Sequence, residues 1–277
     1  MLQAQEHGPV IGFRLARTFL GRAVYHTAAY WVDGLLIDSG CAYSAEELLR
    51  AMDSLPLEQV VNTHHHEDHI GGNALLQHEC GVNIQAHPLA LPILANPRLL
   101  ALQLYRRVFW GWPEPSQGSA IGEWLQTEHF RFRVMHTPGH SPDHICLFEP
   151  EHGWLFSGDA FIGGRERAAR PDYDMYGVIA SLRKLAALPI TKLFPGSGTV
   201  RNDPVDEIRQ KIADLEGLGA EVRRLSHMGL DVPAIQHRLL GQEPSITYLT
   251  HGHFRGRHLI RAFLRQCPGC TPSPQDR

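Results

Sequence analysis

The stretch Thr-His-His-His-Glu-Asp-His-Ile-Gly-Gly, residues 63–72, constrains this chain more than any other part of it. Four of its members fit the pattern His-x-His-x-Asp-His: His64, His66, Asp68 and His69. They follow a short apolar run, Val60-Val61, and precede two glycines and a helix-like segment. Imidazoles and a carboxylate crowded into the turn after a strand suit a borderline metal such as zinc. His64 and His66, at alternate positions, can point to one ion, while Asp68 and His69 can turn towards a second. A solvated histidine-rich loop is the competing reading, and the match to known ligand spacings outweighs it.

The rest of the composition narrows the class. A chain of 277 residues is long enough for one large domain or two small ones. With 43% hydrophobic and 20% charged residues it is an ordinary globular sequence. A formal charge of -3 argues against general nucleic-acid or membrane-surface binding. No apolar run approaches the roughly 18 residues that cross a membrane. Residues 1–7 lack the basic start and apolar core of a secretory signal, so a cytoplasmic location is expected. The five cysteines (Cys41, Cys80, Cys146, Cys267, Cys270) then read as free thiols. Cys267-Pro268-Gly269-Cys270 has redox-type spacing but lies in a Pro-rich tail, away from a helix start.

Along the chain, Val10 to Phe19 and Ala23 to Val32 read as strands, with Gly21-Arg22 as a hairpin turn between them. Asp33-Gly34 offers a tight turn before the strand Leu35–Ile37, which ends at Asp38. Ser44 and Glu47 have capping-box spacing for a helix over Ala45–Met52. The strand Gln59–Asn62 delivers the histidine loop, and a helix follows over Asn73–Glu79. Asn83–Ala86 is another strand. Residues 88–112 are apolar and broken by proline and glycine, which predicts short helices in an insertion. Such an insertion serves as a lid, as a dimer contact or as a satellite packed on the sheet. His129–Met135, Ile145–Phe148, Trp154–Ser157 and Lys192–Phe194 read as strands; Tyr176–Leu188, 205–225, 232–240 and 257–266 read as helices. Reactive residues at the ends of strands that alternate with helices indicate a layered α/β fold.

Taken together, these residues resemble the metallo-β-lactamase fold superfamily. The resemblance covers about 38–200 and rests on four motifs in order: Asp38 after a strand, the His64–His69 loop, His140 in Thr-Pro-Gly-His-Ser, and Asp159 in Ser-Gly-Asp. It implies a four-layer αββα sandwich over residues 1–204, with residues 205–277 as a C-terminal helical extension. It also implies that His64, His66 and His140 hold one metal, that Asp68 and His69 hold a second, and that Asp159 bridges the two. Asp38 would support the histidine loop through hydrogen bonds. The fifth motif departs from the family: Ser197 stands where a His is usual. The second site thereby loses an imidazole: Ser197 would hydrogen-bond a metal-bound water, or the second site would be weak or empty, with His251 and His253 as candidates to fold back and substitute. His65, His136 and His144 read as bystanders, and Glu67 as a solvated or supporting carboxylate.

The chemistry implied is hydrolysis of an ester, thioester, lactone or related bond by a metal-bound hydroxide, with Asp68 as the proton acceptor. Two zinc ions suit a binuclear site, and iron is the alternative metal. Two other readings accompany this one: a mononuclear iron oxygenase acting on persulfides, and a metal-containing binding or regulatory protein without turnover. A small-molecule substrate is expected rather than nucleic acid or membrane, with a homodimer as the candidate assembly. Arg165, Arg167 and Arg170, and the helix arginines Arg255, Arg257, Arg261 and Arg265, are the basic features; they read first as solvated side chains, with contact to an acidic ligand as the alternative.

Overall fold

A computed structural model describes residues 1–19, 22–23 and 25–265. Gly21 of the expected hairpin and the Cys267/Cys270 pair lie outside the described residues. The chain divides into two units. The first holds residues 1–137, 142–162 and 188–204; the second holds 138–141, 163–187 and the chain from Val205 on.

In the first unit, strands send alternate side chains to two cores. On β2 (Val10–Leu15), Val10 faces one core while Phe13 and Leu15 face the other. After the short pair β3 (Thr18–Phe19) and β4 (Arg22–Ala23), the alternation continues on β5 (Thr27–Val32). There Ala28, Tyr30 and Val32 share a core with Val10, while Ala29 turns to the other side. β6 (Leu35–Ile37) and β7 (Gln59–Val61) repeat the pattern. A strand with both faces buried belongs in the middle of a layered structure. The first sheet has the order β1-β2-β5-β6-β7-β8-β9, with β1 (Leu2–His7), β8 (Asn83–Ala86) and β9 (Gly118–Ala120). From β6 to β9 it is parallel, and parallel neighbours need crossovers. These are supplied by α1 (Ala45–Ala51), by α2 (Glu67–Ile70) with α3 (Asn73–Cys80), and by α4 (Leu91–Ala95) with α5 (Leu104–Trp110). Leu48 of α1, Leu76 of α3 and Leu94 of α4 fill the core on that outer face.

The second sheet runs β10 (Trp124–Gln126), β11 (Arg131–His136), β12 (Ile145–Glu149), β13 (Trp154–Gly158), β14 (Lys192–Pro195) and β15 (Arg201–Asn202). Phe132, Ile145, Leu147, Phe156 and Phe194 meet Tyr30, Ile37 and Val61 of the first sheet in a shared core. Phe156 and Phe194 stack with centroids 4.7 Å apart. Two sheets and an outer helical layer therefore lie within this unit, in keeping with the expected α/β fold.

Helices build the second unit. α6 (Met175–Ala186) begins at Asp174, whose side chain accepts the Gly177 N–H. α7 (Val205–His227) buries Ile208, Leu215, Val222 and Leu225 along one stripe. A Cβ on Gly219 of that stripe would lie 2.8 Å from the ring of Phe263, so glycine lets the two helices close. α8 (Val232–Leu240), α9 (Ser245–Leu249) and α10 (Gly256–Arg265) complete the unit. Among the described residues no helix is long and apolar enough to cross a membrane.

Two local expectations need correction. The Ser44–Glu47 capping box does not form, because the Ser44 hydroxyl donates to the Cys41 carbonyl at 3.0 Å instead of accepting from the helix. The 88–112 stretch breaks into short helices as expected, but its first half is not peripheral. Ala90 and Leu94 are fully buried in the core of the first sheet, whereas Leu99 and Leu104 are exposed.

Candidate metal centre

Four strand ends in the first unit carry the reactive residues: β6 leads to Asp38, β7 to the histidine loop, β13 to Asp159 and β14 to Gly196-Ser197. Parallel strands gather ligand-binding groups at their carboxyl ends in this way. Asp38 turns the chain sharply, with φ +61, a left-handed conformation that Asp tolerates better than most residues. Its Oδ1 accepts the Thr63 N–H at 2.7 Å. Its Oδ2 accepts the Thr63 hydroxyl at 2.8 Å and faces His69 Nδ1 at 2.7 Å. An Nδ1–H donated to Asp38 leaves the lone pair of His69 on Nε2, which lies 3.6 Å from Asp159 Oδ1 and 3.9 Å from Asp68 Oδ2. The carboxylate behind the imidazole is the usual device for aiming a ligating histidine.

His64 and His66 converge, with His64 Nε2 2.7 Å from His66 Nδ1. Two imidazole nitrogens that close repel unless a proton or a cation lies between their lone pairs. Ligand atoms of His64, His69 and Asp159 all lie within 4.8 Å of one another. Asp68 is buried beside them. Burial pushes its carboxyl up to about 7; His69 and Arg106 oppose that rise, and Glu67 and Asp159 add to it. Burial alone would lower His69, yet the carboxylates of Asp38, Asp159 and Asp68 raise it well above the ordinary histidine value. A buried set of nitrogen and carboxylate ligands that must take up protons to tolerate its own charge fits a divalent cation.

The neighbouring histidines have other roles. His144 is fully buried, and burial lowers its pKa to about 4. Its Nε2 accepts the Asp159 N–H at 3.1 Å and its Nδ1 meets the Thr137 hydroxyl at 2.9 Å, so it fixes the backbone that carries Asp159. His65 meets Asp143 at 2.7 Å. His136 stacks on His87 and contacts the Pro142 carbonyl. Glu67 is not solvated. It is fully buried and held by Arg106 of α5, with Arg106 Nε donating to Oε1 at 2.6 Å and Nη2 to Oε2. No local signal joins these two, which lie 39 residues apart.

The fifth-motif position is tightly built. A Cβ at Gly196 would fall 2.2 Å from Asp159 Oδ1, so only glycine lets β14 pass this close. Among the described residues the Ser197 hydroxyl is buried without a hydrogen-bond partner.

His140 belongs to the second unit. There its Nδ1 lies 3.1 Å from the Tyr173 hydroxyl, and its carbonyl accepts Arg170 Nη2 at 3.3 Å. The preceding Gly139, at φ +132, packs so closely that a Cβ would lie 2.3 Å from the Val178 nitrogen on α6. Arg165 and Arg167 are also committed within this unit, to Asp214 at 3.5 Å and the Leu240 carbonyl at 3.4 Å.

Known proteins match this description. The model of the Metallo-beta-lactamase superfamily matches residues 24–197. The thioesterase pkgB of Emericella nidulans is 30% identical over 186 residues, 65% of this chain and 45% of that protein. The hydroxyacylglutathione hydrolase of Aeromonas hydrophila is 33% identical over 159 residues, 56% of this chain and 52% of that protein. The chain thus spans about half the length of the curated relatives it matches. A metallo-beta-lactamase family protein of Thermus thermophilus has the same fold, with a TM-score of 0.66, 18% identity and 92% of each chain covered. A further protein, solved in a di-iron-bound form, is 30% identical with a TM-score of 0.55, over 69% of this chain and 96% of that one.

Proposed function

Because the chain belongs to the metallo-β-lactamase superfamily, we propose that it is a metal-dependent hydrolase of small-molecule thioesters. The observation that carries this reading is the convergence of buried His64 and His69 with half-buried Asp159 at the ends of parallel strands. The relatives that are a thioesterase and a hydroxyacylglutathione hydrolase support the bond class. In this reading His64, His66 and His140 would hold one metal and Asp68 and His69 a second, with Asp159 available to both. When bound, such ions lower the pKa of water and polarise the electrophile's oxygen. The chain's own residues do the remaining work. Asp38 keeps the His69 proton on Nδ1, His144 anchors the Asp159 backbone, and Asp68 accepts and releases a proton at a carboxylate oxygen.

The test begins with zinc and iron per chain in protein purified without added metal. Thiol release from acyl thioesters follows, with the natural chain and with Asp68→Asn. We expect the metal of the His64, His66 and His140 set in both proteins, a weaker second ion in the variant, and a loss of about a hundredfold or more in its rate, the usual worth of a positioned general base. Equal rates would remove Asp68 from the chemistry. Ser197 favours a second reading, a single iron with oxygen chemistry on a thiol, because it takes an imidazole from one of the two sites. One iron per chain with thiol-dependent oxygen uptake would select it.

A further inference from the structure

One strongly charged feature of the second unit is not used by the site described above. Arg255, His258, Arg261 and Arg265 follow at intervals of three, three and four residues, the spacing that lines one side of a helix. The other side of α10 is fixed in the unit's core by Leu259, Ile260, Ala262 and Phe263, so the cationic side cannot turn inward. Among the described residues, Arg255 Nε and Arg261 Nε are each buried with no hydrogen-bond partner. An unpaired buried donor on a charged group is costly. Among the described residues, no carboxylate pairs with Arg255, Arg257, Arg261 or Arg265. Burial, and then the charges of Arg261, Arg255 and Arg265, hold His258 below the usual histidine range despite a bond to the Gly252 backbone that raises it. The start of the helix is not the attraction, since Glu243 already accepts the Gly256 N–H there at 2.8 Å. The excess positive charge is in the side chains.

This face is tied to the segment that holds His140. Arg255 and Ala169 exchange both backbone hydrogen bonds at 3.1 Å, and Arg265 Nη1 donates to the Pro171 carbonyl at 2.7 Å. The same segment supplies Arg170 and Tyr173, which both contact His140. The aromatic edge of Phe254, next to Arg255, meets Tyr173 at 6.4 Å. An anion gripped by the arginines is therefore registered on the piece of chain that presents His140.

We propose that the Arg255–Arg261–Arg265 face binds the phosphate groups of the thiol carrier on which the substrate acyl group travels. The proposal rests on the thioesterase reading above. Phosphate suits the face better than a carboxylate, because three guanidinium groups without acidic partners call for more than one negative charge. Residues 255 to 265 span about 15 Å at 1.5 Å per residue, longer than one phosphate and suited to a carrier with a diphosphate and a further phosphate.

The experiment is calorimetric titration of the metal-loaded full chain with coenzyme A, with its phosphate-free fragment pantetheine, and with glutathione. Coenzyme A should bind, weaken as salt is raised, and exceed both other thiols by about tenfold or more, the worth of one charge-assisted contact. Arg255→Gln and Arg261→Gln should each weaken coenzyme A by a similar factor while leaving metal content and the unfolding midpoint in place. Pantetheine or glutathione binding as tightly as coenzyme A would overturn the proposal, and that comparison needs no variant. So would coenzyme A binding that ignores both substitutions. If the face binds coenzyme A but no thioester is cleaved, the face stands and the thioesterase reading falls. If thioesters are cleaved without coenzyme A binding, the thioesterase reading stands and the face falls.

Discussion

Arg106→Ala tests how the metal loop is held. Glu67 sits between His66 and Asp68 with no exposed surface, and the Arg106 side chain that grips it is only 10% exposed. Removing one partner of such a pair leaves an uncompensated buried charge, which costs about 3–5 kcal/mol. An exposed pair would be worth about 1 kcal/mol or less, so the two outcomes are well separated. In urea, with a slope of a few kcal/mol per molar, the midpoint should fall by roughly 1–2 M. Replacing both partners, as in Glu67→Gln with Arg106→Met, removes the charge altogether and should recover most of the loss. The double-mutant cycle isolates the coupling from the packing lost with the arginine stem. Metal titration of Arg106→Ala should also show weaker binding, because Glu67 freed from Arg106 no longer fixes the turn between the ligands. An unfolding free energy within about 1 kcal/mol of that of the natural chain would refute the claim that the pair is buried and mutually dependent.

Three further outcomes follow from the same geometry. Asp38→Ala removes the acceptor of the Thr63 N–H, the Thr63 hydroxyl and His69 Nδ1; metal affinity should fall by about 10–100-fold by equilibrium titration, as for other residues behind metal-ligating histidines. Gly196→Ala places a methyl 2.2 Å from Asp159 Oδ1, so metal stoichiometry should drop even where circular dichroism shows the fold intact. Metal-free protein should become less stable as pH rises through about 7. Asp68 and His69 both have raised values in the fold, so the folded chain holds protons that the unfolded chain releases. That stability is complete below the unfolded values and drains away as the folded ones are passed; thermal unfolding with and without metal reads it, and an unchanged midpoint would contradict it.

Most of the central strands could be read from the residues, because strands buried on both faces are short, apolar and bounded by turns. Leu2–His7 escaped that reading because it is a polar edge strand, exposed along most of its length and held by backbone pairing with Val10–Leu15. The capping box over Ser44 and Glu47 failed for a local reason. The 3₁₀ turn Ala42–Ser44 precedes the helix and draws the hydroxyl back to Cys41. Of the ligand candidates, the His64–His69 loop was legible because its spacing is itself the constraint. What holds the loop was less so. Asp38 was recognisable as a supporting group, but Arg106 lies in an apolar stretch that says nothing about Glu67.

The glycines explain why the site is more specific than its set of ligands. At Gly158 a Cβ would fall 2.7 Å from Thr63 Oγ1 and 2.8 Å from His144 Nε2, and at Gly196 it would strike Asp159. β13 and β14 can deliver Asp159 to the histidine loop only by running past it without side chains. Asp68 is buried in the same loop, and burial is the first cause of its raised pKa. A bound cation would neutralise the unfavourable buried charge without disturbing the close packing at the glycines. A bulkier residue at either glycine would relieve the charge by letting the loop move away, and would lose the metal in doing so.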